Sequence, residues 1–250
     1  MRICVFDTET TNLEKPFCYN VGYVIYDTDK HEIICKEEFV IEQIWHNAEL
    51  FSTSYYAEKR PIYVNRMRAK KIALEKWGYV TQRMTRIFKL YNVECAFAYN
   101  SPFDTKVFEW NCEWFKTINP FDNIPIIDIR GYVHCFLAFD KTFQEWCDLN
   151  EQHTESGNYS TTAETVYRFV ASEDDFKEEH TALADAEIEL EVLLAMVERG
   201  AVMGETYKVY SSIARKIKKN LIVKCQDGED YIFPYEKIRI NKDKTEIKLS

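Results

Sequence analysis

Residues 3–6, Ile-Cys-Val-Phe, form an apolar run that stops directly on Asp7-Thr8-Glu9-Thr10. A short run of this kind bounded by polar residues reads as a buried strand over residues 2–8. Positions i and i+2 of a strand face the same way, so Asp7 and Glu9 aim at one point just past the apolar part. Two carboxylates held together there repel each other unless a cation lies between them. The C-terminal edge of an open α/β sheet is also where such folds bind their ligands. Taken alone, the same residues fit a turn carrying two solvated acids.

The rest of the chain supplies a sheet for this strand. Residues 20–27 and 32–41 read as two more strands, joined by a turn at 27–30. Residues 47–91 are mostly helical in pattern, rich in Lys, Arg, Ala and Leu. Residues 95–99 and 124–129 read as a fourth and a fifth strand. Helices are expected at 131–148 and 162–171, with a loop at 149–161 between them. A last strong helix starts near Thr181: Ala182, Ala186, Leu190, Leu193, Leu194 and Val197 mark its apolar face, and Gly200 ends it. Residues 205–219 read as a basic helix, and 220–225 and 230–240 as strands. The expected fold is therefore α/β, a mixed sheet with helices on both faces. It forms one domain over residues 1–200, followed by a small basic C-terminal extension over 201–250 made of a helix plus strands. With 250 residues and 46% hydrophobic content, the chain can bury one substantial core.

Composition removes several function classes. None of the seven glycines lies within three residues of another, which excludes the clustered glycines that bring backbone close to phosphate in P-loops and dinucleotide sites. The eight cysteines contain no C-x-x-C pair, so neither a zinc ribbon nor a thioredoxin motif is indicated. They are expected to be reduced core residues in a cytoplasmic protein. No apolar run is long enough to span a bilayer, and no membrane partner is expected. The net charge of −9 is unevenly spread. Residues 59–89 hold ten Lys/Arg and one acid, residues 208–224 hold six Lys/Arg and no acid, and residues 173–191 hold nine acids and one Lys. An acidic centre flanked by basic segments suits a metal site that handles a polyanion.

Two further elements carry chemistry. Asn100-Ser101-Pro102-Phe103-Asp104 follows an apolar strand and opens a helix, with Ser101 as N-cap and Pro102 at the first helical position. Asp104 thus lies at a strand's C-terminal edge as well. His180-Thr181-Ala182-Leu183-Ala184-Asp185 puts Asp185 on the last helix behind Thr181 as N-cap, with His180 just outside it. Each element alone fits an ordinary cap or a surface residue. Together, Asp7, Glu9, Asp104 and Asp185 are the hard oxygen ligands that Mg²⁺ or Mn²⁺ prefers. His180 beside them suits a general base for water, titrating near or above about 6.5.

The arrangement Asp-x-Glu, Asp, His-x4-Asp resembles the DEDDh group of 3′→5′ exonucleases, which includes the proofreading subunits of bacterial replicative polymerases and ribonuclease T. The first motif matches from Phe6 to Leu13, the second from Asn100 to Asp104 and the third from His180 to Asp185, so the resemblance covers residues 1–200. It implies a ribonuclease H-like fold with a five-stranded mixed sheet. It implies two divalent ions held by Asp7, Glu9, Asp104 and Asp185, roughly 3.5–4 Å apart, and a His180 that deprotonates the attacking water. By the same resemblance Leu13 wedges against the terminal base, Phe103 lines its pocket beside Asn100, and the backbone of Thr8 and Thr10 touches the terminal 3′ hydroxyl. The family usually has Gly where this chain has Asn12; Asn tolerates positive φ, so the turn is expected to be kept.

The substrate implied is DNA or RNA with a 3′ end, single-stranded or frayed, with a polymerase as an open partner. The charge pattern adds a candidate grip: on a helix, Arg66, Lys70 and Lys71 fall at i, i+4 and i+5 and make one basic patch for the substrate backbone. The alternative function is a catalytically idle ribonuclease H-like module that tethers a polymerase or another nucleic-acid-processing partner.

Overall fold

The structure, a computed structural model, describes residues 1–54 and 56–214, and beyond them the backbone of four short strands. The chain divides into two units, Met1–Ile213 and Ala214–Ser250.

The first unit begins with an antiparallel meander of β1 (Arg2–Thr10), β2 (Cys18–Asp27) and β3 (Glu32–Ile41). Three helices follow, α1 (Glu42–Trp45), α2 (Ala48–Phe51) and α3 (Arg60–Arg68). Then come β4 (Ala73–Glu75), α4 (Trp77–Tyr91), β5 (Cys95–Ala98), α5 (Pro102–Phe115) and β6 (Ile126–Asp128). The unit continues through α6 (Ile129–Phe136), α7 (Lys141–Leu149), α8 (Ala163–Ala171) and α9 (Ala182–Glu198). The strand order is β4-β3-β2-β1-β5-β6, with β5 parallel to β1, β6 parallel to β5 and β4 parallel to β3.

Alternate residues of β1 feed two cores. Cys4 and Phe6 pack with Trp77, Met84 and Phe108, whereas Ile3 and Val5 pack with Tyr132, Val133, Leu193 and Met196. Burial on both faces is why residues 3–6 are uniformly apolar rather than alternating. The expected mixed α/β sheet is present, with a sixth strand at its edge. Ala73–Glu75 lies in the stretch read as helical, but its backbone pairs with Phe39–Ile41 of β3.

Other readings shift. The helix expected over 131–148 is two helices, because Asp140 caps α7 by accepting the Thr142 N–H at 2.7 Å. The basic helix expected over 205–219 is absent from its described part, 205–214. That stretch is strapped to α6 instead: the Tyr132 hydroxyl donates to the carbonyls of Val202 and Glu205, and the Tyr210 N–H donates to His134 Nδ1 at 2.9 Å. Gly131 makes room for this, since a Cβ there would lie 2.5 Å from the Tyr207 carbonyl oxygen. Residues 215–219 lie outside the described residues.

In the second unit, β7 (Leu221–Lys224) pairs antiparallel with β8 (Asp230–Phe233), and β9 (Ile238–Ile240) with β10 (Ile247–Leu249). The single strand read over 230–240 is therefore two. No helix among the described residues is long and apolar enough to cross a membrane.

Candidate active site

Three elements bring the acidic motifs to one end of the sheet. Asp7 and Glu9 come from the end of β1, as the i, i+2 spacing requires. Asp104 comes from the first turn of α5, where it is buried and accepts a hydrogen bond from the Thr8 hydroxyl at 2.6 Å. The sharp turn from β5 into α5 runs through Asn100 at φ +60°, held by Asp128, whose Oδ1 accepts the Asn100 N–H at 2.9 Å. Ser101 occupies the N-cap position, but its side chain caps nothing.

Asp185 is delivered by how closely α9 lies on β2. The Asn20 side-chain oxygen accepts the Ala182 N–H at 2.8 Å and so caps the helix from outside. Thr181, the expected N-cap, makes no side-chain cap bond, and its hydroxyl accepts from Arg66 at 3.1 Å. Gly22 leaves the space that the first turn of α9 fills, since a Cβ there would stand 2.2 Å from the Leu183 nitrogen.

Carboxylate oxygens of Asp7, Glu9 and Asp185 all lie within 4.8 Å of one another. Asp104 is outside that trio and is coupled to it through the charge of Asp7. Burial raises every carboxyl in the group above its ordinary value, Asp7 to about 7 and Asp185 to about 9. Repulsion by Asp7 adds to the rise at Glu9, Asp104 and Asp185. Lys59 opposes it at Glu9 and Asp185, and the Tyr19 hydroxyl bonds Glu9 at 3.4 Å. Asp185 Oδ1 is buried with no hydrogen-bond partner. Buried carboxylates this close, one with an orphaned oxygen, fit a hard divalent cation.

His180 sits just before α9 at φ +50°, a conformation that costs energy for a residue with a Cβ. Its ring stacks on Tyr56 at 4.3 Å between centroids, and its Nδ1 lies 3.5 Å from the Glu178 carboxylate. Its carbonyl accepts from the Tyr63 hydroxyl at 3.4 Å. Burial, with Lys59 nearby, holds the imidazole below its ordinary pKa. That corrects the expectation of a titration at or above about 6.5, and it keeps the ring neutral at pH 7.

The remaining candidates are more scattered. Thr8 is buried against Asp104, Thr10 is half-buried, Phe103 packs against the core, and Leu13 is 74% exposed. Asn12 does not adopt positive φ; its side-chain oxygen accepts the Lys15 N–H at 2.7 Å and makes the turn that way. The single-helix patch of Arg66, Lys70 and Lys71 does not form. Helix α3 ends at Arg68, and Lys70 turns away at φ +55°. Arg66 is bound to the buried Glu38 carboxylate, while Lys70 and Lys71 stay exposed.

Sequence reasoning missed four groups around the site. Glu189 is buried, accepts the Tyr99 N–H at 3.0 Å and has its pKa raised by burial and by Asp7, Asp104 and Asp185. Its position four residues after Asp185, on the same helix face, was the available signal. Lys59 donates to the Glu179 carbonyl at 2.6 Å, and Tyr56 and Glu178 flank His180.

No protein-family model matches the chain, and no curated protein matches it in sequence. Solved structures do match. The nuclease domain of 3′hExo, a DEDDh family member, bound to rAMP, is 14% identical over 85% of this chain and 97% of that one, with a TM-score of 0.57. A 3′-exonuclease described in 3′-end specific recognition of a histone mRNA stem-loop is 13% identical over 94% and 91%, also with a TM-score of 0.57. A full-length 3′-exonuclease is 16% identical over 85% and 68%, with a TM-score of 0.54. Likeness at such identity establishes architecture, and the sheet order and flanking helices agree with it: this chain has the ribonuclease H-like fold of the DEDDh 3′ exonucleases.

Proposed function

We propose that the chain is a metal-dependent 3′→5′ exonuclease that hydrolyses phosphodiester bonds from the 3′ end of DNA or RNA. The observation that carries this reading is the convergence of Asp7, Glu9 and Asp185 within 4.8 Å, with Asp104 beside Asp7. These four carboxylates would hold two Mg²⁺ or Mn²⁺ ions. When bound, such ions polarise the phosphodiester and stabilise the attacking and leaving oxygens.

The chain's own groups do the rest. His180, neutral at pH 7, takes the proton of the attacking water at a ring nitrogen. Its position on the last residue before Thr181, stacked on Tyr56, orients that ring. Lys59 supplies the site's nearby positive charge. Thr8 and Glu189 fix the elements that carry Asp104, through the bonds to Asp104 itself and to the Tyr99 N–H. Thr10, Leu13, Asn100 and Phe103 are proposed to meet the terminal nucleotide, and the exposed Lys70 and Lys71 the strand farther back. Activity in the cytoplasm agrees with seven described cysteines that are all free thiols.

The test offers 5′-labelled single-stranded DNA, duplex DNA and RNA with Mg²⁺ or Mn²⁺. The expected result is stepwise shortening from the 3′ end of at least one of these, abolished by EDTA. No shortening with either metal would favour the idle-module reading, which no observation in the structure otherwise supports.

A further inference from the structure

Next to the carboxylates lies a cleft of about 430 Å³. Tyr99 and Asn100, which open the turn that carries Asp104, form one wall. Arg130 and His134 of α6 form another, and Thr154, Ser156, residues 158–163 and residues 211–213 close it. The lining is unusual for a chain of net charge −9. It is crowded with serine, threonine and asparagine, it includes Arg130, and it contains no carboxylate.

The walls are fixed before any ligand arrives. His134 Nδ1 accepts the Tyr210 N–H, so the ring proton is on Nε2, which donates to the Thr161 hydroxyl at 3.0 Å. The Thr161 carbonyl in turn accepts from the Tyr99 hydroxyl. Asp128 Oδ1 accepts hydrogen bonds from the backbone N–H groups of Asn100 and Arg130. The Arg130 guanidinium, half-buried at the cleft, makes no hydrogen bond or close ion pair among the described residues, although it feels the charge of the Asp128 carboxylate.

A guanidinium without a close ion pair, in a rigid, hydroxyl-rich cleft, is suited to a phosphate, which it can grip with two parallel hydrogen bonds. Neutral hydroxyl and amide groups around it suit sugar oxygens. The cleft shares the 99–100 wall with the catalytic cluster, so a strand ending at the carboxylates has its preceding residues beside this wall. We propose that the cleft is a subsite for the sugar–phosphate backbone of the substrate strand, with Arg130 holding a phosphate upstream of the scissile bond. The identity of the strand rests on the exonuclease reading; the anion site does not.

The test uses the full chain. Affinity for a 5′-labelled ten-nucleotide strand is measured with EDTA present, so that nothing is cut, across a salt series. Arg130→Gln is expected to weaken binding about tenfold, as loss of one charge-assisted contact does, and to flatten the slope of log affinity against log salt by about one unit. Arg130→Lys should recover part of the loss. Ser156→Glu, which adds a carboxylate at an exposed position of the rim, should weaken binding without touching the core. With Mg²⁺, Arg130→Gln should raise KM more for the strand than for the p-nitrophenyl ester of thymidine 5′-monophosphate, which has no upstream phosphate. Unchanged affinity and salt slope in Arg130→Gln, or equal losses on strand and ester, would overturn the proposal. If no strand is ever trimmed but Arg130→Gln still loses affinity, the subsite stands and the exonuclease reading falls. Trimming with unaltered affinity is the reverse case.

Discussion

Gly22 stands directly opposite Asp7 in the β1–β2 ladder, and the first turn of α9 lies so close above it that an added Cβ would be 2.2 Å from the Leu183 nitrogen. One glycine thus sets the distance between the strand that carries Asp7 and Glu9 and the helix that carries Asp185. Backbone cannot yield as a flexible side chain can, so Gly22→Ala should push α9 outward. The expected cost is about 1–3 kcal/mol of stability, as for other overpacked cores. Turnover should fall by roughly a hundredfold from the displacement of Asp185. Denaturant midpoints and kcat on the same preparation check both; a variant with normal stability and rate would show that α9 is not held by this contact.

The raised carboxyl pKa values make metal-free stability depend on pH in a definite direction. For an acid whose folded pKa lies above its unfolded value, the penalty is absent below the unfolded pKa and complete above the folded one. Asp7 at about 7 and Asp185 at about 9 therefore destabilise the metal-free protein progressively as pH rises from about 4 toward 9. Melting in EDTA should show Tm falling between pH 5 and 9, and Mg²⁺ or Mn²⁺ should restore it most at the high end. A flat profile in EDTA, or no effect of the ions, would mean that the cluster is not charged and caged as described.

His180 should act with a pKa below 6.5, because burial and Lys59 disfavour its cation. Single-turnover rates are expected to rise with pH through a midpoint below that value and then level off. His180→Asn is the informative variant, since Asn tolerates the positive φ that Ala would strain. It should lower the chemical rate by about 10²–10⁴ while leaving strand affinity near normal. An unaltered rate would reassign His180 to shaping the turn before α9.

Arg66 should behave as a structural residue rather than a phosphate ligand. Its partner Glu38 is 1% exposed in its side chain, so Arg66→Ala leaves a buried carboxylate without its cation. The expected loss is roughly 2–3 kcal/mol, at the low end for buried pairs because Arg66 keeps a solvent edge. The salt slope of strand binding should stay as in the parent. A stable Arg66→Ala protein with a flattened slope would return Arg66 to the substrate grip.

The candidate site residues could be read from the sequence only as a set. The i, i+2 spacing put Asp7 and Glu9 on one face of a strand, whereas Asp104, His180 and Asp185 each fit an ordinary position alone and were joined to them by the resemblance to the DEDDh motifs. What failed depended on contacts between distant segments. Ala73–Glu75 has only three residues and no alternation, so its strand character comes from β3. Arg66 and Lys70 looked like one helix face until Lys70 turned to positive φ and Glu38 claimed Arg66. Tyr207 and Tyr210 hold 205–214 out of a helix through α6, which composition does not announce. Glu189 was hidden in a run of nine acids, where only its depth on α9 separates it from solvated neighbours.

The most direct test of the metal-dependent exonuclease is Asp185→Asn, which keeps the shape of the side chain and removes one charge from the trio. A 5′-labelled strand is followed in a single turnover with Mg²⁺, and the same two proteins are melted in EDTA at pH 8. The wild type should shorten the strand from its 3′ end one nucleotide at a time, and Asp185→Asn should be slower by at least about a hundredfold. The variant should also melt higher in EDTA at pH 8, because the buried Asp185 carboxyl, held up to about 9, must take up a proton on folding and an amide need not. A variant that trims at the wild-type rate, or a wild type that cuts within the strand rather than from its 3′ end, would contradict the account.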